Sequence, residues 1–145
     1  MNVIVFFTYD ISLRDWKNSG LLEREFLYYE ALSKKGVQFT FLTFGDETDL
    51  GLIDNDNIEI LPIYTLIKKS ENKFIRYFKS FLIPFYIRKH VRRANILKTN
   101  QLMGSWVAII TKIFFRKKLI IRTGYDLLTF NIKEKKSLFI IIFTY

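Results

Sequence analysis

The stretch Val3-Ile-Val-Phe-Phe-Thr8 is followed, after a polar loop over residues 9–18, by a helix-like segment and a second β-prone run over residues 37–44. Both runs are rich in the β-branched and aromatic side chains that are typical of buried strands. The segment from Gly20 to about Lys35 carries apolar residues at helical spacing: Leu22, Phe26, Tyr29 and Leu32. This strand–helix–strand order predicts a parallel strand pair joined by a crossover helix.

The same alternation continues along the chain. We expect a third strand over residues 58–61, ended by Pro62, a fourth over 95–99 and a fifth over 119–123. Helices are predicted between them, one from Lys73 to about Arg93 with a kink or new start at Pro84, and one over 106–115. The pattern predicts an α/β fold, a Rossmann-like parallel sheet with helices on both faces.

Ligands of such sheets bind beyond the carboxyl ends of the strands, where the strand order reverses. If the first and fourth strands are neighbours at that point, three loops converge there. They comprise residues 9–20, 100–105 and 122–126. We therefore expect a functional site at this edge of the sheet.

The composition excludes several kinds of chemistry. The chain has 145 residues, no Cys and one His. Disulfides, thiolate metal sites and cysteine nucleophiles are thus excluded, and His90 is interpreted as a surface residue. The acidic segment 45–57 lacks the spacing of a calcium loop and is interpreted as a solvated loop. We expect no metal ion and no cofactor.

The charge of the chain is unevenly distributed. Residues 1–72 carry 7 Lys and Arg against 12 Asp and Glu, whereas residues 73–145 carry 16 against 2, so that net charges of −5 and +14 make up the total of +9. Such asymmetry suggests that the second half meets an anionic partner. The segment from Lys73 to Arg93 interleaves basic residues with Phe74, Tyr77, Phe78, Phe81 and Phe85. It fits a helix on an anionic membrane surface, or a core-packing aromatic face with solvated lysines.

Three segments carry a resemblance to a known family. They are Thr8-Tyr-Asp10 with the helix start Asn18-Ser-Gly20, the segment Asn100-Gln-Leu-Met-Gly-Ser-Trp106, and Arg122-Thr-Gly-Tyr-Asp126. In their places on the predicted sheet they resemble the N-terminal domain of family 4 glycosyltransferases, which have the two-domain GT-B fold. The resemblance covers residues 1–130 and leaves 131–145 as an atypical or truncated tail.

This resemblance implies a retaining transfer of sugar from a nucleotide sugar to a cell-surface polysaccharide or a lipid-linked acceptor. In the family, the N-terminal domain mainly holds the acceptor and the C-terminal domain holds the nucleotide sugar. We expect the chain to be a fragment with a single, incomplete GT-B N-terminal domain that is inactive alone and uses a nucleotide sugar only together with the missing domain. The family's histidine near the fifth strand is replaced here by Arg122 and Thr123.

The candidate site residues follow from these segments. For the acceptor they are Asn100, Gln101, Ser105, Arg122, Tyr125 and Asp126, and for a donor phosphate they are Ser19 and Gly20. Amides suit sugar hydroxyls because they both donate and accept hydrogen bonds, and a helix start can offer backbone amides to a phosphate. Simpler roles are open: Ser105 and Ser19 as helix caps, Arg122 in an ion pair with Asp126, and Trp106 in the core.

Three functions therefore compete at this point. The first is the glycosyltransferase fragment, and the second is a non-catalytic α/β binding module at an anionic membrane surface. The third, nucleic-acid binding, is disfavoured because no recognised motif accompanies the basic half, and we expect no nucleic-acid partner. The sequence predicts a cytoplasmic protein and leaves open peripheral association with the inner face of the cell membrane.

Overall fold

The computed structural model of the protein describes residues 1–123. Its regular elements follow the predicted alternation. The strands are β1 (Asn2–Phe6), β2 (Gln38–Thr43), β3 (Ile58–Pro62), β4 (Ile96–Thr99) and β5 (Lys118–Ile120). The helices are α1 (Leu13–Asn18), α2 (Leu21–Ser33), α3 (Lys73–Ser80), α4 (Ile83–Tyr86), α5 (Arg88–Arg93) and α6 (Ser105–Phe115). The predicted boundary at residue 130 and the tail 131–145 lie outside the described residues.

The strands form one parallel sheet in the order β3-β2-β1-β4-β5. In β1, Ile4 pairs with Thr40 on one side and with Leu97 on the other. The order reverses between β1 and β4, since the chain moves outward from β1 to β3 and then returns to the other side of β1. This confirms the predicted neighbours at the reversal point.

Hydrophobic residues fill both faces of the sheet because the strand side chains alternate. Val3, Val5 and Phe7 pack on one face with Trp16 of α1 and Tyr29 of α2. Ile4, Phe6, Leu42 and Leu97 pack on the other face with residues from α4, α5 and α6. The predicted α/β Rossmann-like fold with helices on both faces is confirmed.

The prediction of a loop over residues 9–18 is wrong in its second half, where the chain forms α1. Ser12 and Asp15 close a capping box, in which the Ser12 hydroxyl accepts from the Asp15 amide and the Asp15 carboxylate accepts from the Ser12 amide. The buried Asp49 carboxylate also accepts hydrogen bonds from the amides of Leu13 and Arg14, both at 3.0 Å. The start of this short helix is thus held by a residue far along the chain.

Asp49 also corrects the interpretation of segment 45–57 as a solvated acidic loop. Its side chain is fully buried and accepts a third hydrogen bond, at 2.5 Å, from the Thr43 hydroxyl. A carboxylate with three donors around it is well compensated for its loss of water. Asp49 is therefore a structural residue that joins the end of β2 to the start of α1.

The segment from Lys73 to Arg93 is divided into α3, α4 and α5. Pro84 lies in the first turn of α4, where its missing amide hydrogen costs nothing. This confirms that Pro84 begins a second helix.

Candidate functional site

The loops that follow β1 and β4 lie together at the reversal point of the sheet. The Asn100 amide donates to the Phe6 carbonyl at 2.8 Å, and the Tyr9 amide donates to the Met103 carbonyl at 3.3 Å. The Thr8 hydroxyl donates to the side-chain oxygen of Gln101 at 3.4 Å. The prediction that these two loops converge is confirmed.

A glycine makes this close approach of the two loops possible. Gly104 has φ +91°, and a Cβ atom at this position would lie 2.7 Å from the Tyr9 backbone nitrogen. L-residues rarely adopt such a φ, and the contact would be with backbone rather than with a flexible side chain. Only glycine therefore fits here without moving the β1 loop.

The predicted residues of the β4 loop differ in their accessibility. Asn100 is 3% exposed and Ser105 is buried, whereas Gln101 is exposed at the sheet edge. The prediction that Ser105 caps α6 is wrong: Gly104 holds the cap position, and Ser105 is the first helical residue. Within residues 1–123 the side-chain oxygen of Asn100 has no hydrogen-bond partner. Gln101 is thus the amide of this loop that a ligand reaches most directly.

Arg122 follows β5 at the same edge and pairs with a helix that the sequence analysis had not linked to it. Its Nη1 lies 2.6 Å from Oε2 of Glu25 on α2, and its backbone amide donates to the Thr99 hydroxyl at 3.0 Å. The hydrogen bond from Arg122 lowers the pKa of Glu25. Tyr125 and Asp126, including the alternative pair of Arg122 with Asp126, lie outside the described residues.

Ser19 and Gly20 connect α1 to α2. The Ser19 amide donates to the Asp15 carbonyl at 3.0 Å and the Gly20 amide to the Lys17 carbonyl at 3.1 Å. Both amides are therefore used to end α1, and the prediction that they are free for a phosphate is wrong. The Ser19 hydroxyl likewise donates to the Trp16 carbonyl.

A charged cluster that the sequence pattern did not predict lies beside the β1 loop. Arg76 of α3 contacts the Asp10 carboxylate at 3.0 Å, and the Tyr64 hydroxyl donates to the same carboxylate at 3.2 Å. Asp10 itself has a left-handed φ of 61°. Burial and the nearby Asp10 charge raise the pKa of Tyr64. We call Asp10, Tyr64 and Arg76 the Asp10 cluster. The spacing of residues along α3 does not indicate that Arg76 contacts Asp10, because the two are far apart in the sequence.

Tyr9, which directly precedes Asp10, packs among aromatic rings from α3 and α6. The Tyr9 ring lies 5.1 Å from Trp106 and 6.1 Å from Tyr77. The Trp106 indole donates a hydrogen bond to the Ser80 hydroxyl at 2.9 Å. The prediction that Trp106 packs in the interior rather than forming an open platform agrees with these contacts. The layer ties α3 and α6 to the β1 loop.

The aromatic residues of α3 and α4 were predicted either to face an anionic membrane or to pack into the core on one face. They do not form a single core-packing face. Phe74 is 78% exposed and Phe78 is 68% exposed, and Phe85 is exposed as well. The Phe85 ring lies 5.2 Å from Phe114 of α6, which is 62% exposed. We call these four phenylalanines, together with the exposed Lys73 of α3 and the exposed Arg88 and Lys89 of α5, the aromatic–basic surface.

A separate cavity of about 230 Å³ lies at the opposite, amino-terminal edge of the sheet. His90 lines it, and its Nε2 lies 3.2 Å from Oε1 of Glu59. His90 is thus partly buried and paired rather than a plain surface residue. Within residues 1–123, no group of three or more metal-ligating side chains comes together.

Comparisons with known proteins give no relative from which a function can be transferred. No family model, no curated protein and no solved structure matches this chain significantly. Among the helices of residues 1–123, none combines the length and the apolar character that a bilayer crossing needs. Function must therefore be inferred from the site itself.

Proposed function

We propose that the chain is the acceptor-side domain of a retaining glycosyltransferase that transfers sugar from a nucleotide sugar to a polysaccharide or a lipid-linked acceptor. The observation that carries the proposal is the reversal of strand order between β1 and β4, with Gln101 and Arg122 at that edge. Open α/β sheets bind their ligands there. The resemblance of the segments at this edge to family 4 glycosyltransferases supplies the reaction.

The residues at this edge suit an acceptor better than they suit acid–base catalysis. Gln101 offers an exposed amide that can donate to one sugar hydroxyl and accept from another. Arg122 is half-exposed and offers a planar set of donors to an oxygen-rich ligand. In this proposal a separate domain binds the nucleotide sugar and closes over the edge, which excludes water from the transfer. The bond between the anomeric carbon and the phosphate oxygen then breaks as the acceptor oxygen bonds to that carbon, and the nucleoside diphosphate leaves with the proton of the acceptor hydroxyl.

Acceptor binding is the property that this chain can show by itself. We would record ligand-observed NMR spectra of the full chain with polyprenyl-diphosphate-linked monosaccharides in detergent micelles, and compare Gln101→Leu with the unchanged protein. The proposal predicts contact at the sugar protons, and weakening by about tenfold when the amide is lost. The matched control Gln38→Leu alters an exposed amide at the other edge. Equal binding by Gln101→Leu and the unchanged protein, or no sugar contact at all, would contradict the proposal.

A second function, a binding module at an anionic membrane, is favoured by the aromatic–basic surface. Phenylalanines exposed to water are costly, and they are stabilised when they enter the boundary between headgroups and acyl chains. Lys73, Arg88 and Lys89 add attraction to anionic headgroups. This function is compatible with the first, since a lipid-linked acceptor lies in a membrane.

Flotation with vesicles tests the membrane function. The full chain should float with phosphatidylglycerol vesicles at low salt and lose binding as the salt concentration rises. The double variant Phe74→Ser, Phe78→Ser should stay in the dense fraction, whereas Leu27→Ser, which alters an exposed residue on α2, should float normally. Flotation of the double variant to the same extent as the unchanged protein would reject the aromatic–basic surface as the membrane contact.

A further inference from the structure

A groove of about 490 Å³ opens where the first half of α2 passes over the ends of β4 and β5. It is lined by Arg24, Glu25, Tyr28, Lys98 and Arg122. Among these residues there are three cations and one carboxylate. We call this site the Arg122 groove.

The single carboxylate of the Arg122 groove is already shared. Oε2 of Glu25 accepts from Arg122 at 2.6 Å, and Oε1 accepts from Arg24 at 3.4 Å. Both guanidiniums therefore depend on one negative charge. The third cation, Lys98, adds to an excess of positive charge within the groove.

Lys98 has a neutral partner in place of a carboxylate. Its ammonium donates to the Tyr29 hydroxyl at 2.9 Å. Burial, together with the charge of Arg122, lowers the pKa of Lys98 to about 8. Among residues 1–123, the attraction of Glu25 offsets only part of this penalty. A half-buried ammonium whose hydrogen-bond partner is neutral costs stability, and an apolar residue would pack better at this position of the strand. Its presence is explained if a negatively charged ligand completes the site.

We propose that the Arg122 groove binds a phosphoryl group, held between Lys98 and Arg122. A phosphate dianion would balance the excess of two positive charges among the described residues that line the groove. Arginine presents a planar fork to phosphate oxygens and lysine presents a point charge, so the two cations suit such a ligand. The inference goes beyond sugar transfer, because the groove needs only the phosphoryl group and not a sugar.

Titration calorimetry of the full chain with inorganic pyrophosphate tests the proposal. We expect Lys98→Met and Arg122→Gln each to weaken binding by about tenfold or more, since each removes a charge-assisted hydrogen bond. Glu25→Gln should strengthen binding, because it removes the competing carboxylate. Lys118→Gln removes an exposed cation at the start of β5 and should leave binding unchanged. Because Lys98→Met is expected to stabilise the fold, its loss of binding would not reflect unfolding.

A second ligand shows whether the phosphoryl group belongs to a free phosphate or to a lipid headgroup. Binding to phosphatidylcholine vesicles that contain phosphatidic acid, compared with vesicles without it, tests a lipid headgroup. If Lys98→Met weakens the binding of pyrophosphate but not of the vesicles, the ligand is a free phosphate. If it weakens the binding of the vesicles but not of pyrophosphate, the ligand is a lipid headgroup. Pyrophosphate and vesicle binding that are both insensitive to Lys98→Met would overturn the proposal. If the chain binds pyrophosphate but shows no contact with the sugar protons in the NMR experiment, only the proposed glycosyltransferase function would be rejected.

Discussion

Two charged regions border the carboxyl edge of the sheet, and they are built on opposite plans. In the Asp10 cluster, one carboxylate meets one guanidinium and one hydroxyl beneath a layer of aromatic rings. In the Arg122 groove, one carboxylate is shared by two guanidiniums, and within residues 1–123 the hydrogen-bond partner of Lys98 is a phenol. Within residues 1–123, the first region pairs one negative with one positive charge around a largely buried Arg76, whereas the second carries excess positive charge around a half-exposed Arg122.

From this difference we infer that the Asp10 cluster serves the fold, and we propose that the Arg122 groove serves a ligand. Arg76 is largely buried, so removing its partner Asp10 leaves a charge that water reaches poorly. An open groove with unmatched cations is less stable than it could be. We interpret that lost stability as the cost of a binding site.

The largest difference in stability is expected between alanine substitutions at two glycines, Gly104 beside the β1 loop and Gly20 at the start of α2. Gly104→Ala should lower the free energy of unfolding by about 3 kcal/mol or more, because a left-handed backbone and a clash with Tyr9 act together. Gly20→Ala, at the start of α2, should cost about 1 kcal/mol, since φ is +69° but nothing lies within 4 Å of the new Cβ. Urea unfolding measures both. Equal costs would show that the close approach of the β1 and β4 loops is not essential.

An intermediate difference in stability is expected between two variants that neutralise a carboxylate, Asp10 in the Asp10 cluster and Glu25 in the Arg122 groove. Asp10→Asn should cost about 2 kcal/mol, because Arg76 is left largely buried without its counter-ion. Asparagine tolerates the left-handed φ of position 10, so the variant tests charge rather than backbone strain. Glu25→Gln should cost less than about 0.5 kcal/mol, since Arg122 is open to solvent. A larger loss for Glu25→Gln than for Asp10→Asn would reverse the comparison.

The smallest effect, and the one with a pH signature, is expected from Lys98→Met. At pH 7 the variant should be more stable by about 1 kcal/mol, after allowance for solvent screening of a partly exposed group. The folded-state pKa of Lys98 is about 8 against 10.5 in the unfolded chain. Below pH 8 both states hold the proton and the full penalty is present. Between pH 8 and 10.5 only the unfolded state keeps it, so the penalty shrinks as the pH rises.

Thermal unfolding at a series of pH values checks this prediction. The difference in stability between Lys98→Met and the unchanged protein should fall steadily above pH 8 and disappear near pH 10.5. Lys118→Gln serves as a control for the loss of a positive charge at an exposed position. A difference that is constant with pH would mean that packing, rather than the buried charge, sets the effect.

The sheet was predictable from sequence because its signals are local. The strands are short apolar runs, and Leu22 and Tyr29 of α2 lie on its buried side at the expected spacing. The β1–β4 neighbours followed from the general topology of such sheets. These features need no knowledge of distant contacts.

The parts that were missed depend on partners far apart in the chain. Asp49 supports the start of α1 across the fold, and Arg76 reaches Asp10 from another layer. The pairing of Arg122 with Glu25 joins the last described residues to the first long helix, so no spacing rule reveals it. The capping box at Ser12 was the one local signal of α1. The sequence pattern predicted the edge where the β1 and β4 loops meet, but not the charged pairs at that edge.

The central claim is that the carboxyl edge of the sheet, between Gln101 and Arg122, is the ligand-binding edge. Backbone amide NMR shifts of the full chain, followed during titration with a polyprenyl-diphosphate-linked monosaccharide, test it most directly. The account predicts that the shifts concentrate at Gln101, Glu25 and Arg122. Shifts that concentrate instead around His90 and Glu59, in the cavity at the amino-terminal edge, would contradict it.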